Sequence, residues 1–278
     1  MVALLLLGLV VGPSSARLLT RGRWQIAHPG RALLVWMLLG AAGLVVTVAS
    51  VLVAAVLSLS AGSVDGPVES LALTLIAWAG LGGLGVAGSL AQLGRGDLGD
   101  EDDGQPRVAE LLSRRRTDSW QMGAVTVVEV DDPRVVAVAV PGGTPTIFVS
   151  RAIRHALPAS HLSAVLAHEA AHLSRHHALV RGLGAWHAAC LPKRSRLRRE
   201  LATRITLLTE LAADDVAASR VGPAHLEEAL IALHELAPSR ELGVRAARVR
   251  ALHSIPHPAP GASPSFRTRS GTLRAEQR

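Results

Sequence analysis

The sequence predicts a mainly α-helical chain of two unlike parts: N-terminal transmembrane helices, then an α+β domain with a small β-hairpin or three-stranded sheet. Three observations predict it. Apolar runs long enough to cross a bilayer are confined to the first 93 of 278 residues. Short β-branched segments separated by turn residues occupy positions 124–150. From Pro158 onward the apolar spacing becomes helical.

In the first part, Ala32 to Ala61 is a thirty-residue run without charge, and Leu71 to Leu93 is a second uncharged run. Either exceeds the roughly 20 helical residues that a hydrocarbon core requires. Gly80, Leu84 and Gly88 follow one another at four-residue spacing, which suits close helix approach or simply glycine tolerated in lipid. Met1 to Ala16 reads as a signal peptide with a small-residue cleavage site or as a retained helix. The missing positive n-region and the arginines that follow favour the helix.

Loop charges set the expected threading. Gly12 to Arg31 carries Arg17, Arg21, Arg23 and Arg31 and no acid, so it belongs in the cytoplasm; Gly62 to Ser70 has no Lys or Arg and belongs outside. A further span then returns the chain to the cytoplasm, giving a multi-pass cell-membrane protein whose later residues are cytoplasmic. The expected division is a membrane domain of about three helices over 1–93, an acidic linker over 94–106, a folded domain over 107–254 and a disordered tail over 255–278. The tail is rich in proline, serine and arginine.

Within the folded domain a helix is expected at Arg107 to Arg116. Strands follow at Ala124 to Val130, Arg134 to Val140 and Thr146 to Ser150, separated by "DDP" and "PGGTP". Helices are expected at Ala159 to Arg181, Leu197 to Arg220 and Ala224 to Leu236.

The net charge of +7 suits nucleic acid, anionic lipid or cytoplasmic anchoring. With no tyrosine and two phenylalanines the chain lacks a stacking surface for bases, so no direct nucleic-acid partner is expected. The single cysteine, Cys190, permits no intrachain disulfide and fits a reducing compartment. Ala178 to Arg199 is apolar and then basic; it fits a helix in the inner-leaflet interface or one running into a solvated basic loop.

Chemistry concentrates in "AVLAHEAAHLSRHH", Ala164 to His177. His168, Glu169 and His172 form H-E-x-x-H in an expected helix. Positions four apart share a helical face, so both imidazoles can reach one ion, while Glu169 lies about 100° around the helix. Two neutral nitrogen ligands, an open coordination position and a nearby carboxylate are what water activation by zinc requires. The other reading is a solvated surface helix rich in histidine. A metzincin extension would need glycine at position 175 and histidine at position 178, where the chain has Arg175 and Ala178. The alternative third ligand is a glutamate on a separate helix with an aspartate one turn later. "TELAADD" supplies that pair as Glu210 and Asp214; Glu200, Glu227, Glu228, Glu235 and Glu241 have no aspartate four residues on. Asp214 would then accept a hydrogen bond from a ligating imidazole.

Together with "AVAVPGGTPTIFVS", "ELAAD" and "RVRAL", this segment resembles the gluzincin membrane peptidases, most closely the BlaR/MecR antirepressor type and more distantly the HtpX-type quality-control proteases. The resemblance covers Ala137 to Leu252. It implies a gluzincin-type zinc peptidase domain, with zinc on His168, His172 and Glu210, Glu169 as general base and Asp214 in support. It also implies Arg248 as the cation that stabilises the site or the developing oxyanion. The implied activity is cleavage of a protein or peptide, a cytoplasmic transcriptional repressor in the signalling branch and membrane proteins in the quality-control branch. A membrane sensor or scaffold with a structural zinc is the non-catalytic alternative. His176 and His177 are expected to pack or cap beside the site. An extended substrate is expected to add to the edge at Thr146 to Ser150. The chain departs from the pattern in its plain "VVAVAV" strand, and the penicillin-binding domain of full β-lactam sensors is not expected after Leu252.

Overall fold

A computed structural model describes residues 14–20, 22–60, 110 and 112–253 of the chain. It is mostly helical with one small mixed sheet. Residues 14–20 are helical, followed by the single turn α1 (Trp24–Ala27) and the 32-residue α2 (Pro29–Ser60). Pro29–Val53, with a mean hydropathy of 2.4, is the one stretch among the described residues long and apolar enough to span a membrane. The expected span at Leu71 to Leu93, residues 1–13, the acidic linker and the tail lie outside the described residues.

Helix α2 changes character along its length. Ala32, Leu33 and Trp36 are buried in a cluster with Val180, Ala188, Leu201 and Ile205. Beyond them Leu38, Leu44, Val45, Leu52, Val53 and Val56 are exposed. The hydroxyls on that stretch are satisfied within the helix: Thr47 donates to the Gly43 carbonyl at 2.8 Å and Ser50 to the Val46 carbonyl at 2.7 Å. Such back-bonding satisfies each hydroxyl within the helix itself.

Four strands form the sheet: β1 (Arg116–Met122), β2 (Val125–Val130), β3 (Ala137–Val140) and β4 (Thr146–Ser150). Their order is β1-β2-β4-β3, with β2 and β4 parallel and the outer pairings antiparallel. A two-residue connection with Gly123 at φ +62 joins β1 to β2, a conformation that side chains resist and glycine adopts freely. Asp132 shapes the turn before β3, accepting from the backbone and the side chain of Arg134 at 2.9 and 3.0 Å.

The helices follow as α3 (Arg151–Ala156), α4 (Ala159–Ser174), α5 (His177–Ala189), α6 (Arg196–Val221), α7 (Pro223–Leu236) and α8 (Arg240–His253). Ser150 caps α3 by accepting from Ile153 N, and Ser195 caps α6 by accepting from Arg198 N. The main core joins Val127, Ile147 and Val149 of the sheet to Ile153, Val165, Ala217, Leu226 and Val249. Alanines at 164, 167 and 171 keep the buried side of α4 thin, which lets neighbouring elements approach it. Gly184 does the same for α5: a Cβ there would lie 2.5 Å from Ile205 Cδ1 on α6.

The structure corrects several expectations. The sheet has four strands, because the polar segment "RTDSWQM" pairs antiparallel with β2 instead of extending the preceding helix. The expected second strand starts only at Ala137, since Asp132 holds the preceding residues in a turn. β4 sits between β2 and β3, so the edge on the helix side is β3, not Thr146 to Ser150. The expected helix from Ala159 to Arg181 is broken, because His176 adopts a left-handed conformation (φ 51, ψ 41) between α4 and α5. Helices α3 and α8 were not expected at all.

Candidate metal centre

Helix α4 places His168 and His172 on one face, one turn apart, with their Nε2 atoms 3.1 Å from each other. From α6, packed against α4, Glu210 brings Oε2 to 3.3 Å from His168 Nε2 and Oε1 to 3.4 Å from His172 Nε2. These three residues form a group able to hold a metal ion. The spacing fits the donor set. Ligands at about 2.0–2.1 Å from a tetrahedral zinc lie about 3.3–3.4 Å apart, a separation these atoms already approach.

Asp214 is fully buried one turn beyond Glu210, and its Oδ1 lies 3.0 Å from His168 Nδ1. In the neutral ring that a metal requires, a proton on Nδ1 directed at that carboxylate leaves Nε2 as the lone-pair nitrogen facing the cluster. Arg245 on α8, 7% exposed, completes the buried charge arrangement. It donates to both Asp214 oxygens, at 2.9 and 2.7 Å, and to Glu210 Oε2 at 2.8 Å. Arg181 on α5 donates to Glu210 Oε1 and to Thr209 Oγ1. Each Glu210 oxygen thus receives one arginine and keeps a lone pair in reserve.

This electrostatic setting explains the titration of the group. Burial opposes ionisation of Glu210, but the His168 hydrogen bond and the Arg245 charge hold it well below the carboxylate range. Burial likewise works against Asp214, which His168 and Arg245 nevertheless hold below its ordinary value. For His168, burial would lower the pKa, yet Asp214 and Glu210 raise it to about 9. Burial and the neighbouring His168 push His172 down to about 2, and burial and Arg181 take His177 to about 4. Glu169 is half-buried; burial raises it to about 7, against the opposing charge of His168.

A cavity of about 400 Å³ opens over the cluster. One wall is Ala137, Val138, Ala139 and Pro141, and the other carries His168, Glu169, His172 and Leu173. A second cavity of about 210 Å³ shares His168, Glu169 and Glu210 with the first and is lined by Ile153, Val165, Leu226, Leu230, Leu233 and Leu242.

Of the residues expected from sequence, His168, Glu169, His172, Glu210 and Asp214 converge. Arg248 does not. It donates to Asp215 at 2.7 Å and to the Ile26 carbonyl at 3.0 Å, tying α8 to α6 and α1. Arg245, nearly one turn earlier, occupies the place expected of it. The two small residues that follow, with Ala246 buried, let α8 approach closely enough for that reach. Arg181 and His177 are the other partners that sequence spacing did not assign.

Metal binding to this cluster should displace a proton. His168 is protonated below about pH 9 in the metal-free protein and must be neutral as a ligand. Zinc affinity should therefore rise by about tenfold per pH unit between roughly pH 6.5 and 9, as expected for one displaced proton. Calorimetry at pH 7.5 in buffers of different ionisation enthalpy should report about one proton released. PH-independent affinity with no proton release would exclude His168.

Residues 105–191 match the model of peptidase family M48. No curated protein and no solved structure matches the chain. The matched segment includes His168, Glu169 and His172 and stops short of Glu210, Asp214 and Arg245. Over that segment the chain is similar to a peptidase family, which suggests protease activity, and the His/His/Glu cluster is able to bind a metal.

Proposed function

We propose that the protein is a membrane-anchored, zinc-dependent endopeptidase whose active site faces the cytoplasm and which cleaves a protein substrate in signalling. The observation that carries this reading is the convergence of His168, His172 and Glu210 at 3.1–3.4 Å, with Glu169 beside them in a cleft walled by an edge strand. Zinc bound there supplies Lewis acidity and lowers the pKa of water. Glu169, held near neutrality by burial, accepts the proton of the attacking water and returns it to the leaving amine. Ser150 donates its backbone N–H to the Val136 carbonyl, so the alternate backbone groups of Ala137 face away from β4 and are placed to pair with an extended peptide. The leucine-lined second cavity suits an apolar side chain next to the scissile bond. Arg181, on the cavity wall, is better placed than Arg248 to meet developing negative charge.

Orientation is tested with Cys190, which is exposed. It should resist a membrane-impermeant thiol reagent in intact cells and react after permeabilisation, whereas a cysteine placed at Ser63 should react from outside. External labelling of Cys190 would overturn the cytoplasmic assignment.

The substrate is tested by capture. Glu169→Gln should bind substrate without turning it over. One dominant captured protein, a small cytoplasmic DNA-binding repressor, is expected. A broad set of membrane proteins that grows under heat or translocation stress would replace signalling with quality control. Capture of no protein, together with no cleavage of an unstructured protein by the zinc-loaded wild type, would leave a scaffold with a structural metal.

A further inference from the structure

The helix that carries the two histidines ends in an unusual way. Arg175 caps α4, His176 turns the chain in a left-handed conformation, and α5 begins at His177. A non-glycine residue in that region costs roughly 1–2 kcal/mol, and neither glycine nor asparagine is present to relieve it. The turn carries His177, 3% exposed, back over His172. Their Nδ1 atoms lie 3.0 Å apart and their rings meet edge-on with centroids 4.8 Å apart.

We infer that His177 is a positioning residue that fixes the tautomer and orientation of His172 for metal binding. The inference rests on the metal reading above. Two imidazole nitrogens at hydrogen-bond distance share a single proton: one donates and the other accepts. The Nε2 of His172 faces His168 and Glu210, so that nitrogen must carry the lone pair if a metal is to be held there. The ring proton therefore sits on His172 Nδ1 and is donated to the Nδ1 lone pair of His177. His177 in turn carries its own proton on Nε2. The same arrangement holds at His168, whose Nδ1 faces Asp214 on α6. Each histidine of the pair directs its Nδ1 proton to a buried acceptor on a different helix. The seating of α5 against α6 at Gly184 keeps the second acceptor in place.

The full chain in detergent micelles, with zinc affinity measured by competition with a chromogenic chelator, tests this. His177→Leu removes the acceptor and should weaken zinc binding about 10–100-fold. His177→Asp supplies a carboxylate, which can only accept, and should bind zinc within about threefold of wild type. A packing role would not be rescued in that way. Zinc binding by His177→Leu equal to wild type would overturn the inference, and so would His177→Asp as weak as His177→Leu. Should His177→Leu fail to fold, the ring-nitrogen ¹⁵N shifts of His172 in zinc-loaded wild type decide the matter. Zinc on Nε2 with a protonated Nδ1 is expected, and zinc on Nδ1 would sink the idea. A wild-type chain that holds no zinc overturns the metal reading and this inference together. A wild-type chain that holds zinc, unaffected by the substitution, overturns the inference alone.

Discussion

Glu169→Gln is expected to keep about one zinc per chain and to lose peptide cleavage by a factor of about 10²–10⁴ or more, the contribution of a positioned general base. The amide has the size of the carboxylate, so the cleft that Glu169 lines should retain its shape. It cannot take a proton from water. Glu169 is not among the three residues that converge on the ion position, and zinc content and cleavage should therefore separate. They are to be measured on the same preparation, by metal analysis and by proteolysis of an unstructured protein. If Glu169→Gln loses zinc as far as His168→Ala does, the base and ligand roles have been exchanged.

Glu210→Ala should act on the metal more than on the fold. It removes one of three ligands, so zinc retention should fall by more than the roughly 10–100-fold that Asp214→Ala, which removes the carboxylate bonded to His168 and Arg245, should cost. The metal-free protein should lose only about 1–3 kcal/mol, the cost of leaving buried donors short of partners. Arg245 keeps both Asp214 oxygens and Arg181 keeps Thr209, so neither arginine is stranded. Chelator competition and thermal melting of the metal-free form read the two effects independently. Full activity in Glu210→Ala would return the search for a third ligand to the other glutamates.

The legible parts of the centre were those written in short-range spacing. His168 and His172, and separately Glu210 and Asp214, are four residues apart, and helical periodicity alone places each pair on one face. What joins the two pairs is tertiary. Arg245 and Arg248 are both reasonable candidates on α8, and the choice between them depends on how that helix is rotated against α6, which no local pattern records. The break at His176 was hidden because "SRHH" contains no glycine or proline. β1 was hidden because its polar residues carry no alternation; it is held by pairing with β2 and by Arg154, which reaches Asp118 and the Trp120 ring. The long apolar helix was legible from composition, but its burial against Ile205 and Leu208 of α6 was not.

Arg245 also imposes an order on biosynthesis. The chain is made from its N-terminus, so the motif at 168–172 and the acids at 210 and 214 leave the ribosome well before residue 245. Until then Asp214, which folding buries completely, lacks the guanidinium that neutralises it, and Glu210 lacks one of its two arginines. Burying those carboxylates earlier is unfavourable, and the centre closes only once α8 docks. A nascent chain built this way keeps its candidate metal centre open until α8 has been made.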